Sequence, residues 1–255
     1  MAGTLIRAIA LTGLLVAMGC DNSDTIVAVD APPYIVDGVY SVTGDGAVTV
    51  YWRPNQEADI VSYSVYRNSA PTGTFVLVGS TSGTQFVDTD VVNGTTYYYA
   101  VAAVDRAGRE SPELSYENVF DTPRPEGFDA VLTNAYVDDV TSGWDFSAFR
   151  TRPSLDSQTD IYYAAQDGHF LIFASVGTDI QDAGYVPLVE VDFAPPAGWS
   201  TDGVVEAIVG HSYIVLTSNG HYAKFEVTAF DDAGMEMDWA YQIDQDNPEL
   251  ARKAP

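Results

Sequence analysis

Lysine is nearly missing from this sequence: Lys224 and Lys253 are the only two in 255 residues. Basic side chains total 11 against 36 acidic ones, a formal net charge of −25. Such a surface repels polyphosphate, so nucleic acid is not an expected partner. The acidity itself reads as a solvated shell that keeps the chain soluble. Cysteine occurs once, at Cys20, so a paired-cysteine metal motif cannot be built. Gly-x-Ser-x-Gly, His-Glu-x-x-His and P-loop patterns are also absent. No catalytic residue and no metal site are assigned, and the chain is not expected to be an enzyme. A glycosidase carboxylate pair would not betray itself through spacing in sequence. Asp88-Thr89-Asp90, Asp138-Asp139 and Asp231-Asp232 lack the regular spacing of a calcium loop and read as turn residues.

Hydrophobic residues make up 46% of the chain, too many for a disordered one. There are 16 tyrosines, and Val, Thr and Tyr recur in short alternating runs. That pattern predicts an all-β fold of two antiparallel domains.

Residues 1–19 read as a targeting segment. Arg7 precedes an apolar run from Ala8 to Met18, in which Thr12 is the only polar side chain. The run has signal-peptide proportions and is short for a bilayer span. It ends in Val16-Ala17-Met18-Gly19-Cys20, which resembles a bacterial lipobox with Ala17 where leucine is usual. The resemblance implies cleavage before Cys20 and a lipid anchor on its sulfur, with palmitate-type acyl chains. The expected location is the bacterial cell envelope, outside the cytoplasm and tethered to a membrane. Residues 20–30, opening with Asp21-Asn22-Ser23-Asp24, read as a polar tether.

In residues 31–122 the runs are strand-like. Ala47 to Trp52 alternates and puts Val48, Val50 and Trp52 on one face. Ser62 to Arg67 and Thr84 to Asp88 follow, then Thr95 to Val104 after an Asn93-Gly94 turn. Trp52 with Pro54, then Ile60, Tyr63, Val65 and Tyr66, then Gly94-Thr95-Thr96-Tyr97 with Ala100-Val101, resemble a fibronectin type III domain. The resemblance implies a β-sandwich that serves as a spacer or binding module. It places Tyr97 at a tyrosine corner, its hydroxyl bonded to backbone upstream.

Residues 123–127 read as a proline-rich linker between independently folding units. Beyond it, 128–243 contains more short strands, and Asn219-Gly220 is a strong hairpin signal. A two-residue turn there pairs Ser218 with His221, Leu216 with Ala223, Ile214 with Phe225 and Ser212 with Val227. Ile214, Leu216, Phe225 and Val227 then form the core face. Met235, Met237, Trp239, Tyr241 and Ile243 share a face of the next strand. Residues 244–255 read as a polar tail.

Three stretches, 143–150, 210–225 and Trp239-Ala240-Tyr241-Gln242, resemble the HmuY-like haem-binding lipoproteins. The resemblance implies an all-β fold, a lipid anchor and haem held by axial side chains, with His169, His211 and His221 as the available histidines. In the register above, His211 and His221 are about seven residues apart along the hairpin, roughly 23 Å at about 3.3 Å per residue. They also point to opposite faces, so they cannot share one haem. A pairing would join His169 to one of them, or a histidine to Met235 or Met237. The leading expectation is a membrane-anchored, extracytoplasmic binding lipoprotein, with haem or a haem protein as partner and the first domain as spacer. The alternative is a structural or adhesive envelope protein that contacts proteins or glycans.

Overall fold

The computed structural model describes residues 31–115 and 119–251. The apolar run, Cys20 and the tether up to residue 30 lie outside the described residues. Among the described residues no helix is long and apolar enough to cross a membrane.

Seven strands build the first sandwich: β1 (Tyr40–Gly44), β2 (Ala47–Tyr51), β3 (Ile60–Asn68), β4 (Val76–Thr81), β5 (Gln85–Asp88), β6 (Tyr97–Asp105) and β7 (Val119–Asp121). They form a three-stranded sheet, β1-β2-β5, and a four-stranded sheet, β4-β3-β6-β7, antiparallel throughout. As the alternation predicts, Val48, Val50 and Trp52 face inward, against Tyr63, Val65, Tyr99 and Val101. The Trp52 and Tyr63 rings meet at 5.3 Å. The Val92 N–H donates to the Tyr97 hydroxyl at 3.1 Å, the expected corner bond.

Ten strands build the second: β8 (Glu126–Thr133), β9 (Gly143–Asp145), β10 (Arg150–Arg152), β11 (Ile161–Gln166), β12 (His169–Ala174), β13 (Asp179–Gly184), β14 (Val204–Glu206), β15 (Ser212–Leu216), β16 (Tyr222–Phe230) and β17 (Gly234–Tyr241). Sheet β10-β9-β11-β12-β14 packs on sheet β13-β15-β16-β17-β8. Their shared core is aromatic. Trp144 meets Trp239 at 5.4 Å, and Tyr213 stacks on Phe225 at 4.9 Å. Met235, Met237, Trp239 and Tyr241 are buried together, while Ile243 is 38% exposed beyond the strand end.

The β15–β16 hairpin departs from the expected register by one residue. Tyr213 pairs with Phe225, Ile214 with Lys224 and Val215 with Ala223. The loop contains three residues, not two. Thr217 N–H bonds to His221 O and Gly220 N–H to Thr217 O, both at 2.9 Å, with Gly220 at φ +83°. A turn followed by a left-handed glycine adds one residue to the connection, and a one-residue slip reverses a strand's faces. Tyr213 and Val215 therefore enter the core with Phe225 and Val227, and Ile214 leaves it.

Ile214 is buried nonetheless, because the outer face of this sheet is covered as well. Val191, Ala194 and Leu250 pack on it. Leu250 belongs to the segment expected to be a polar tail. That segment folds back: the Pro248 carbonyl accepts from Ala194 N–H at 2.8 Å, and Leu250 N–H donates to Asp192 O at 2.7 Å.

The expected linker is also buried. Thr122 and Arg124 are 0% and 2% exposed, and Glu126 already belongs to β8. Arg124 N–H donates to Gly44 O at 3.1 Å and Gly94 N–H to Pro123 O at 2.8 Å, both in the first sandwich. Tyr241 N–H of the second donates to Pro125 O at 2.9 Å. From Pro32 onward the chain clusters as one compact unit.

Candidate functional site

The three candidate haem ligands have separate surroundings. His169 is exposed, at the start of β12 opposite Gln166, beside the Asp167-Gly168 turn. His211 lies before β15, with Nδ1 at 3.0 Å from both carboxylate oxygens of Asp182 and its ring edge-on to Tyr185 at 4.2 Å. His221 closes the hairpin loop, its Nδ1 3.1 Å from Gln242 O and its ring 5.4 Å from Tyr241. Backbone pairing keeps His211 and His221 at opposite ends of the hairpin, with His211 O opposite Val227 and not Thr228 as the shorter turn requires. These contacts have no member in common. No group of three or more metal-binding side chains occurs among the described residues.

A concavity lies at one end of the second sandwich. It has a volume of about 390 Å³ and is formed by the β10–β11 loop, the β12–β13 loop and the tip of the β15–β16 hairpin. Tyr162 of β11 supplies its aromatic wall. Tyr162 stands opposite Phe173 on the outer face of the sheet, and the two rings stack at 4.9 Å with planes 6° apart. Ser154, Asp156, Ser157, Thr159, Ser175 and Ser218 line the rest. Leu155 and Val176 stand at the rim, 90% and 101% exposed.

Local chemistry explains why this loop holds its shape. Thr159 N–H bonds to Asp156 O at 3.0 Å, Thr159 Oγ1 donates to Pro153 O at 2.8 Å, and Asp156 Oδ1 accepts from Gln158 N–H at 2.9 Å. Arg152 reaches Asp156 at 3.7 Å and the buried Asp145 at 2.6 Å. Asp145 in turn accepts from the backbone of Ser147 and Ala148, both at 3.0 Å. Asp160, next to Thr159, accepts from Phe146 N–H at 2.8 Å, and burial pushes its carboxyl up to about 6. Asp145 and Asp160 fasten backbone and do not line the groove. Neither was singled out in the sequence. Their one signal, an Asp flanked by Trp144 and Phe146 and another before Ile161, is weak.

A second cluster lies at the seam between the sandwiches. Lys224 is 1% exposed, and its Nζ donates to Leu188 O at 2.5 Å and Val191 O at 3.0 Å. Burial, with Arg124 nearby, lowers its ammonium to about 6. The Arg124 guanidinium bonds to Leu250 O and, at 3.1 Å, to Glu126. Asp121 accepts from Thr43 at 2.6 Å and is raised by burial to about 6.

No protein-family model matches the chain. A stretch of 111 residues is 35% identical to an amylopullulanase of Thermoanaerobacterium saccharolyticum, covering 43% of this chain and 8% of that protein. Another of 132 residues is 31% identical to a chitinase of Paenibacillus xylanexedens, covering 45% and 24%. The chain thus spans a small part of the curated relatives it matches. A solved Fn3-like protein from Clostridium thermocellum is 24% identical, covering 38% of this chain and all of that one, at a TM-score of 0.31. Strands arranged three over four, with a bonded tyrosine corner, decide the class. The first sandwich is fibronectin type III-like.

Proposed function

We propose that the protein is an extracytoplasmic binding lipoprotein, held to a bacterial membrane by lipid on Cys20, in which the fibronectin type III-like sandwich carries a second, ligand-binding sandwich. The observation that carries this reading is the buried seam. Thr122, Arg124 and Leu250 fix the second sandwich on the first, which suits a spacer that presents its partner in one orientation. Similarity over a short stretch to an amylopullulanase and a chitinase supports an accessory, non-catalytic role beside polymers. The lipobox-like end of the apolar run supports the anchor. Haem capture has no arrangement of His169, His211 and His221 in its favour and is not part of the reading.

Cell fractionation tests the anchor. Wild type is expected in the membrane fraction after a salt wash, and Cys20→Ser in the soluble exported fraction. A Cys20→Ser protein that stays with the membrane overturns the proposal.

A further inference from the structure

We infer that the groove beside Tyr162 is a binding site for a neutral carbohydrate chain. The inference rests on the reading of the second sandwich as a binding module and names its ligand class. Three observations converge. The first is the aromatic wall. Tyr162 supplies a flat aromatic surface to the groove, and its ring is held by parallel stacking on Phe173 across the strand pair. A sugar ring offers a flat array of C–H groups to such a surface, and aromatic contacts of this kind are favourable beyond the area they bury.

The second is the polar lining. Ser154, Ser157 and Ser218 line the groove with hydroxyl-bearing side chains, which donate or accept as a ligand hydroxyl requires.

The third is charge. Asp156 is the one ionisable carboxylate of the lining, and the whole chain carries −25. An anionic ligand is repelled, and a purely apolar one would strand the hydroxyl groups. A neutral polyhydroxyl ligand meets both conditions, with Asp156 accepting from its hydroxyl groups. The volume of about 390 Å³ fits a short oligosaccharide and lies at the lower end of the range for small-molecule sites.

The test uses the full chain, solubilised in a polyoxyethylene detergent so that no sugar headgroup competes. Calorimetric titration with maltohexaose, cellohexaose and N-acetylchitohexaose is expected to give saturable binding by at least one of them. Tyr162→Ala should weaken that binding at least about tenfold, and Tyr162→Phe should leave it within about twofold. Leu155→Asp changes a side chain that is 90% exposed and leaves folding untouched, so it stands in if Tyr162→Ala does not fold. It should weaken binding several-fold through the rim. Failure of all three sugars to bind, or wild-type affinity in both variants that reach the groove, overturns the inference. So does haemin binding, seen by absorbance, that Tyr162→Ala abolishes. Because the protein is already in detergent, none of these outcomes depends on the anchor, which fractionation of Cys20→Ser decides separately.

Discussion

The two sandwiches follow the same antiparallel logic but differ in how many faces they bury. In the first, strands such as β2 alternate between buried Val48 and Val50 and half-exposed neighbours. In the second, β15 is buried at four successive positions, Ser212 to Val215. Its inner face joins the aromatic core, with Tyr213 stacked on Phe225, and its outer face lies under Val191 and Leu250. Alternation identifies the core when one face meets water. It loses that power when both faces are covered.

The contrast is testable, beginning with the largest effect. Phe225 is fully buried and stacked on Tyr213 in the doubly covered sheet. Phe225→Ala should cost about 3–5 kcal/mol, read by chemical denaturation. A loss below about 1 kcal/mol would mean that the sheet is looser than its burial indicates.

The seam should make the sandwiches unfold together. Arg124→Ala leaves the buried Leu250 carbonyl and the half-buried Glu126 carboxylate without their partner and should cost about 2–3 kcal/mol. Calorimetry should show one transition in the wild type and two in the variant. A wild type that already melts in two steps would separate the sandwiches energetically as well as structurally.

Lys224 sharpens the comparison through pH. Its folded value, about 6, lies below the ordinary 10.5, so the unfolded chain binds more protons between those values. Stability should therefore rise with pH across that window, by at most about 1.4 kcal/mol per pH unit. Lys224→Met should remove this rise. Asp121 and Asp160, raised from 3.8 to about 6, act in the opposite direction below it. Equal slopes in wild type and Lys224→Met would rule out an uncharged amine in the folded protein.

The smallest effect belongs to the first sandwich. Tyr97→Phe removes only the bond from Val92 N–H and should cost about 1 kcal/mol by denaturant titration. A loss as large as that of Phe225→Ala would erase the difference between the two sandwiches.

Much of the fold was legible in the sequence. The inward set Val48, Val50 and Trp52 follows from alternation, and the Tyr97 corner from Gly94-Thr95-Thr96-Tyr97. The faces of β16 and β17 were legible through Phe225, Val227, Met235 and Met237. Asn219-Gly220 marks the hairpin but does not count its loop residues, which the Thr217 and Gly220 bonds set at three. Pro123 and Pro125 suggest an exposed linker, yet the partners that bury it, Gly44, Tyr241 and Leu250, are remote in sequence. The groove was hidden for the same reason. Tyr162, Ser175 and Ser218 come from three separate loops and strands, and no spacing joins them.

The seam also has a mechanical consequence. Between the end of β7 at Asp121 and the start of β8 at Glu126 lie only four residues, and both sandwiches hold their backbone. There is no slack to stretch. A pull on one sandwich cannot be absorbed by a lengthening hinge; it passes directly to the other, and the two part only when the bonds from Gly44, Gly94, Tyr241 and Leu250 break in concert.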